Sequence, residues 1–226
     1  MRTVAILQAR MTSTRLPGKV MMDLEGAPML QRSLTALDRA EALDDVVVAT
    51  TTNVEDDPVA DLADRLSIRC FRGPEDDVLA RYLAAAREAG ADVVVRVTGD
   101  CPLLDADVVD RVVDALDPEA DYASNVLERT FPVGLDVEAM HVDVLARVDR
   151  MATSPEAREH VTWFVRREHP ELFVTRSVRD DEDNSDLELS VDTEDDLERI
   201  RRLFRDLGLA DRALPYRAIV AHLRRT

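Results

Sequence analysis

The sequence predicts an α/β protein with a mostly parallel β-sheet covered by helices on both faces. Short apolar runs alternate with amphipathic segments, which is the pattern of repeated strand–helix units. The run Val93–Val97 is apolar except for Arg96, as expected of a strand buried on both faces. A polar loop also follows the first apolar run, at the sheet edge where such folds bind ligands.

Local signals support the predicted elements of the first half. Pro28 suits the first turn of a helix, Asp56 and Asp57 with Pro58 mark a helix start, and Gly90 ends a helix. The predicted strands are Thr3–Leu7, Val46–Thr50, Ile68–Phe71 and Val93–Val97. The predicted helices are Pro28–Ala40, Asp56–Leu66, Asp77–Ala89 and Asp107–Leu116.

The second half is less regular. Thr193, with Asp196 three residues later, predicts a helix start, and Asp180–Asp186 is predicted to be a solvated acidic loop. The predicted strands are Tyr122–Val126, Val137–Met140 and Leu187–Val191. The predicted helices are Val142–Met151, Pro155–His169, Glu194–Leu207 and Pro215–Arg224.

Length and composition narrow the class of protein. A chain of 226 residues, 46% hydrophobic, fits one domain over residues 1–226. The sequence shows no signal-peptide pattern and no apolar run near ~20 residues, so no membrane partner is expected. Cys70 and Cys101 are interpreted as reduced thiols, which favours a cytoplasmic protein. The net charge of −17 argues against nucleic acid as a main partner.

The acidic excess suggests adaptation to a salty cytoplasm. The chain has 46 acidic and 29 basic residues, and Lys19 is its only lysine. A high-GC genome also replaces lysine with arginine, but it does not explain the surplus of carboxylates. At 1 M salt, screening over ~3 Å weakens self-repulsion. We therefore expect the melting temperature to rise from dilute to molar salt in a thermal denaturation series, and a flat series would contradict salt adaptation.

The loop after the first strand predicts an anion site. Arg10, Arg15 and Lys19 surround the small residues Thr12–Thr14. Cationic side chains and free backbone N–H groups at this place hold nucleotide phosphates in α/β proteins. The single lysine would act as a compact point charge beside arginines, whose guanidinium groups can donate two hydrogen bonds to one phosphate. The alternative is a basic surface loop in an arginine-rich chain.

Two aspartates are candidates for a cation site at the same edge. Asp100 follows Gly99 after the fourth predicted strand, and Asp192 follows Leu187–Val191. Mg²⁺ takes one or two carboxylates together with substrate phosphate oxygens. Taken singly, each has an alternative interpretation: Asp100 as a turn cap and Asp192 as a carboxylate at a helix start. Together with the cationic loop they match metal-assisted phosphoryl or nucleotidyl chemistry.

Two further signals have structural interpretations that we prefer. Asp105 and Asp107 have the D-x-D spacing of sugar-nucleotide transferases, but a helical pattern begins there, which favours a helix start. His160 lies on a helical run, where a single histidine is more often structural than catalytic.

Motifs in family order over nearly the whole chain resemble those of the acylneuraminate cytidylyltransferases, a family of CMP-sugar synthetases. The similarity is greatest to the branch of spore coat polysaccharide biosynthesis protein F. The matching segments are QARMTSTRLPGKV (8–20), FRGPEDDVLARY (71–82), RVTGDCPLLD (96–105), DYASNV (121–126), GLDVE (134–138), REHVT (158–162) and SVDTEDDLERI (190–200).

The resemblance implies a fold, an activity and a set of site residues. The fold is a three-layer α/β/α sandwich of the Rossmann-like nucleotide-diphospho-sugar transferase type, also called A-type glycosyltransferase-like. The activity is Mg²⁺-dependent transfer of CMP from CTP to a sugar hydroxyl, with release of pyrophosphate, for surface polysaccharide or glycoconjugate synthesis. The residues implied to bind the nucleotide are Gln8, Ala9, Arg10, Ser13, Arg15, Lys19, Gly73 and Asp76.

Lys19, Asp100 and Asp192 are the predicted catalytic residues, the two aspartates being the Mg²⁺ ligands. The acceptor, expected to be an acidic sugar, is assigned to residues 134–138 and 158–162. The predicted acceptor contacts are Arg129, Asp136, Glu138 and His160.

Departures from the family pattern leave alternatives open. Thr12 stands where the family often has glycine, and Thr51–Asn53 replaces an Asp-His or Asp-Asn pair, which leaves recognition of the base open. A glycosyltransferase with a nucleotide-sugar donor and a non-catalytic nucleotide-binding subunit are the two alternatives. Relatives often form homodimers, and Gly134–Arg150 is the predicted dimerisation arm.

Overall fold

The computed structural model describes residues 1–225, which build a seven-stranded sheet with helices on both faces. The strands are β1 (Thr3–Gln8), β2 (Asp45–Thr51), β3 (Arg69–Gly73), β4 (Val93–Thr98), β5 (Tyr122–Ser124), β6 (Glu138–His141) and β7 (Thr175–Ser177). The helices are α1 (Met29–Leu37), α2 (Asp57–Arg65), α3 (Val78–Glu88), α4 (Ala106–Asp114), α5 (Val142–Met151), α6 (Pro155–Glu159), α7 (Glu194–Leu207) and α8 (Tyr216–Leu223).

The sheet is mostly parallel, as predicted. Its order is β3-β2-β1-β4-β6-β5-β7, and only the pairings of β6 with β4 and β5 are antiparallel. In β1, Ala5 pairs with Val46 of β2 on one side and with Val95 of β4 on the other. The carboxyl ends of β1, β2, β3 and β4 therefore share one edge of the sheet.

Alternation along the strands separates two hydrophobic cores. Ala5 and Leu7 of β1 contribute to the core beneath α1, α4 and α7. Val4 and Ile6 contribute to the opposite core, beneath α3 and α5. Because successive side chains of a strand point to opposite faces, an apolar strand packs against helices on both sides. The predicted three-layer sandwich is confirmed.

Two predicted elements of the second half are wrong. Leu187–Val191 forms no strand within residues 1–225; it is held by single contacts, such as the amide of Val191 donating to the carbonyl of Asp100 at 2.9 Å. The predicted helix Pro155–His169 breaks after α6, where buried Val161 has a left-handed φ of 46°, and a π-helical turn, Phe164–Glu168, follows. A β-branched residue rarely adopts that conformation, so packing dictates the break.

The acidic segment 180–186 is only partly solvated. Asp180 is buried, and its carboxylate accepts hydrogen bonds from the hydroxyl of Tyr216 and the guanidinium of Arg217. The predicted arm Gly134–Arg150 does not project: β6 lies inside the sheet, and α5 packs against α3. A role of this segment in a dimer stays a prediction. Within residues 1–225, no helix is both long and apolar enough to span a membrane.

Candidate functional site

The loop after β1 is tied down by a buried carboxylate. Asp56 is fully buried, and its Oδ1 accepts a hydrogen bond from the amide of Met11 at 2.6 Å. Its Oδ2 accepts from the amide and the hydroxyl of Thr51 at the end of β2. The loop then folds back, with the amide of Gly18 donating to the carbonyl of Met11 at 2.8 Å. These bonds fix the backbone that leads to Lys19.

Lys19 lies between the two predicted metal ligands. Its Nζ donates to Asp100 Oδ2 at 2.8 Å, to Asp192 Oδ1 at 2.9 Å and to the carbonyl of Val191 at 2.8 Å. The residue is only 7% exposed, so this ammonium is held in a partly dehydrated position. All three donor positions of the ammonium are used, which fixes its place.

The electrostatics of the cluster stabilise its charged form. Burial acts to lower the pKa of Lys19, but Asp100 and Asp192 outweigh it and raise that pKa above 10.5. Burial acts to raise the pKa of Asp100, yet Lys19 and the hydroxyl of Thr98 hold it below 3.8. Arg15, 63% exposed on its side chain, adds an ion pair with Asp192 at 2.8 Å. Opposite charges at contact distance favour the ionised state of each group.

A cleft of about 230 Å³ opens over this cluster. Its floor includes Gly99, where a Cβ atom would lie 3.1 Å from both the Ala9 Cβ and the Gln8 carbonyl oxygen, so a larger residue would push the two strand ends apart. Gln8 Oε1 is buried and accepts no hydrogen bond within residues 1–225. The residues that line the cleft are Gln8, Ala9, Arg10, Ser13, Thr14, Arg15, Lys19, Val20, Thr98, Gly99, Asp100 and Asp192.

The cluster has the ligand chemistry of a cation site. Asp100 and Asp192 place carboxylate oxygens on one common cation, the ammonium of Lys19. Carboxylate oxygens are the ligands that Mg²⁺ prefers, and it fills its other positions with water and phosphate oxygens. No group of three or more His, Cys, Asp and Glu side chains suited to a metal occurs in the described part of the chain. Asp100 and Asp192 are therefore the two carboxylates that the cleft offers to a metal ion.

A second cavity, of about 340 Å³, lies between α1, the start of α4 and the segment that leads into α8. It borders on Asp105 and Asp107, the D-x-D pair. Asp105 caps α4 by accepting from the amide of Val108 and also accepts from the amide of Tyr216 at 2.7 Å. The pair is a helix start, as predicted, and it lies apart from the cleft with Lys19.

The family model for cytidylyltransferases matches residues 4–217, nearly the whole chain. The chain belongs to the cytidylyltransferase family. It is 32% identical over 212 residues to the spore coat polysaccharide biosynthesis protein SpsF of Bacillus subtilis, covering 90% of this chain and 86% of that protein. It is 37% identical over 174 residues to the uncharacterised protein MJ1063 of Methanocaldococcus jannaschii, covering 76% and 70% of the two chains.

Solved structures support the same fold for this cytidylyltransferase. A cytidylyltransferase from Leptospira borgpetersenii superposes with a TM-score of 0.93 at 30% identity, covering 100% of this chain and 94% of the other. CMP:2-keto-3-deoxy-manno-octonic acid synthetase, solved with CTP, superposes with a TM-score of 0.71 at 19% identity, covering 91% and 99%. The second comparison bears on the fold alone. The nucleotide-diphospho-sugar transferase fold predicted from the sequence is confirmed.

Not all the predicted site residues of the cytidylyltransferase meet at the cleft. Gly73 packs against Phe71 and the stem of Arg81, and Asp76 is exposed. The remaining four belong to the predicted acceptor region. Arg129 forms a two-pronged pair with Asp136 at 2.6 and 2.8 Å, and His160 is exposed beside Trp163. None of these lines the cleft, so their substrate roles stay predictions.

Glu138, the last predicted acceptor contact, lies in a buried ionic network. It is 2% exposed, and its carboxylate accepts from Arg96 and the hydroxyl of Tyr122, with Arg166 Nε 3.5 Å away. Burial acts to raise the pKa of Glu138, but Arg96 and Arg166 hold it below 4.5. These contacts give Glu138 a part in holding the sheet together, and its contact with the acceptor stays a prediction.

Replacing Glu138 with glutamine is expected to destabilise the cytidylyltransferase by about 3–5 kcal/mol, because two partly buried guanidinium groups lose their shared carboxylate. Because the pKa of Glu138 is lower in the folded than in the unfolded state, its contribution to the free energy of unfolding is present above pH 4.5. That contribution is lost as the pH falls through the pKa of the folded state. Denaturation midpoints at pH 7 and pH 3 measure both effects. The control Glu128→Gln removes an exposed pair with Arg179 and should leave the midpoint nearly unchanged. Equal denaturation midpoints for Glu138→Gln and Glu128→Gln would contradict a stabilising role of Glu138.

Two residues that support the site were missed in the sequence. Asp56 was interpreted as a helix-start residue, but it anchors the loop after β1. Glu75, which follows β3, accepts hydrogen bonds from the side chains of Arg10 and Thr12. The signal for both was their place in the loops that follow the parallel strands β2 and β3, since such loops meet at one edge of the sheet.

Proposed function

We propose that this cytidylyltransferase transfers CMP from CTP to a hydroxyl group of an acidic sugar and releases pyrophosphate, for surface polysaccharide or glycoconjugate synthesis. The observation that carries the proposal is the position of Lys19 Nζ, within 2.9 Å of both Asp100 and Asp192 at the cleft. The relative SpsF, a spore coat polysaccharide biosynthesis protein, supports a role in polysaccharide synthesis. The 3-deoxy-manno-octulosonate cytidylyltransferase of Bdellovibrio bacteriovorus, 30% identical over 128 residues, supports transfer of a cytidylyl group to an acidic sugar.

The residues of the cleft suit a triphosphate. Arg10, Arg15 and Lys19 are cations in a chain of net charge −17, so an anion is attracted to this place and repelled elsewhere. The orphaned Gln8 Oε1 is an acceptor for a ribose hydroxyl or an amine of the nucleotide. In-line attack of the sugar hydroxyl on the α-phosphorus needs positioning and charge stabilisation, and no protein nucleophile.

Asp100 and Asp192 would hold Mg²⁺ in this proposal. The ion supplies charge neutralisation for the phosphates and lowers the pKa of the acceptor hydroxyl. Lys19 contacts the same two carboxylates, so its ammonium and a divalent ion compete for them. When the ion occupies the two carboxylates, the triphosphate oxygens would become the partners of Lys19. Arg15, which is exposed, would contact the triphosphate from the solvent side of the cleft.

A pyrophosphate-release assay tests the function. The protein is incubated with Mg²⁺, each of the four ribonucleoside triphosphates and a panel of 2-keto sugar acids and neutral sugars. We expect release with CTP and an acidic sugar, and little with either alone. In a parallel incubation with a nucleotide-sugar donor, transfer of the sugar with release of a nucleoside diphosphate or monophosphate, and no pyrophosphate, would support the glycosyltransferase alternative. Nucleotide binding without any release would support the non-catalytic one.

A further inference from the structure

One carboxylate joins three loops at the carboxyl edge of the sheet. Glu75, after β3, accepts from Thr12 Oγ1 at 2.8 Å and from Arg10 Nη1 at 3.4 Å, both in the loop after β1. Its other oxygen accepts from Asn53 Nδ2 in the loop after β2. Its side chain is still 31% exposed, so the carboxylate is both positioned and accessible.

The position of Glu75 along this edge fits the base end of a nucleotide. The reacting phosphate belongs near Asp100, after β4, and Arg10 links the cleft to Glu75. Because the strand order is β3-β2-β1-β4, Glu75 lies three strands from Asp100, at ~4.8 Å per strand. The cleft runs from Asp100 to Arg10, so a nucleotide with its α-phosphate at the acid pair would place its base beyond Arg10, beside Glu75.

We propose that Glu75 selects cytosine by accepting a hydrogen bond from the exocyclic amine of the base. The inference rests on the proposed function, since it concerns the same nucleotide site. Cytosine presents a donor where uracil presents a carbonyl oxygen, and a carboxylate only accepts. A carboxylate has about four acceptor positions, and the long contact to Arg10 leaves room for the amine.

Hydrogen bonds to the backbone on the N-terminal side of Glu75 fix the position of its segment, as selection between bases requires. The carbonyl of Pro74 accepts from Nη1 of Arg81, which is fully buried. The Nε and Nη2 atoms of Arg81 have no hydrogen-bond partner in residues 1–225, and its charge acts on both Asp56 and Glu75. The carbonyl of Gly73 also accepts from the amide of Thr52 at 3.1 Å. A rigid acceptor rejects an ill-matched base more strongly than a mobile one.

Glu75→Gln is the test, measured as the dissociation constants of CTP and UTP with Mg²⁺ by titration calorimetry, which needs no acceptor sugar. The wild type should bind CTP more tightly than UTP. In the variant the amide can donate to the uracil oxygen, so the ratio of the two constants should fall by about 10- to 100-fold. A ratio within twofold of the wild-type value would overturn the role of Glu75.

Thr12→Val is the matched control. It removes the hydroxyl that donates to Glu75 and keeps the carboxylate, so affinities for CTP and UTP should change together. If Glu75→Gln fails to fold, Glu75→Asp, whose shorter reach withdraws the acceptor, should also lower the preference for CTP, and an unchanged preference there would refute the proposal. A wild type that binds no triphosphate, or shows no preference for CTP, would instead count against the proposed function.

Discussion

Asp100→Asn is expected to lower the rate of pyrophosphate release by about 10³-fold or more while the fold is kept. The substitution removes a charge that faces the ammonium of Lys19 at 2.8 Å and that we assign to the divalent ion. The asparagine oxygen can still accept from Thr98, so the turn after β4 should remain. Initial rates with CTP and an acidic sugar, together with circular dichroism, measure the two effects.

Asp195→Asn is the control for that substitution. Asp195 is an exposed carboxylate in the first turn of α7, three residues after Asp192, and it does not contact Lys19. Its removal changes the net charge equally, so activity should stay within about twofold because exposed charges interact weakly. Wild-type turnover of Asp100→Asn would refute the assignment of this residue to the metal.

Lys19→Met is expected to weaken triphosphate binding by about 10- to 100-fold, the range for loss of one charge-assisted contact. The same change leaves Asp100 and Asp192 without the cation between them, so their mutual repulsion destabilises the folded state. Added Mg²⁺ should then raise the melting temperature of the variant more than that of the wild type. Calorimetry with CTP and a thermal-shift series in Mg²⁺ provide the two measurements.

The control for Lys19→Met is Arg39→Met, which removes a positive charge from an exposed residue beside the second cavity. Both substitutions change the net charge by the same amount. If Lys19 binds the triphosphate directly, only Lys19→Met should lose affinity for CTP. Unchanged CTP affinity in Lys19→Met would contradict the proposed triphosphate site. Equal Mg²⁺ shifts in wild type and variant would contradict competition for the two carboxylates.

The first half of the fold was predictable because its signals are local. Apolar runs, proline at helix starts and Gly90 at a helix end all act within a few residues. The meeting of Lys19 and Asp100 also follows, since loops after neighbouring parallel strands share an edge. Asp192 reached this edge without the strand predicted before it, through the bond between Val191 and the backbone of Asp100.

The second half was less predictable because long-range pairing decides it. Antiparallel β6 enters the sheet between β4 and β5, and this insertion places Glu138 opposite Arg96. The local sequence around Glu138 and Arg96 gives no sign of this pairing, so the ionic network could not be predicted. Likewise Asp180 was predicted to be solvated, and only the distant packing of α8 buries it beneath Tyr216.

The contacts of Lys19 have a consequence for the biogenesis of the enzyme. Its partners Asp100 and Asp192 lie 81 and 173 positions further along the chain. During synthesis the cationic loop emerges first, and its second acidic partner leaves the ribosome only after most of the sheet has been made. Closing so long a loop is slow and costs entropy, so catalytic competence should appear as one of the last events of maturation.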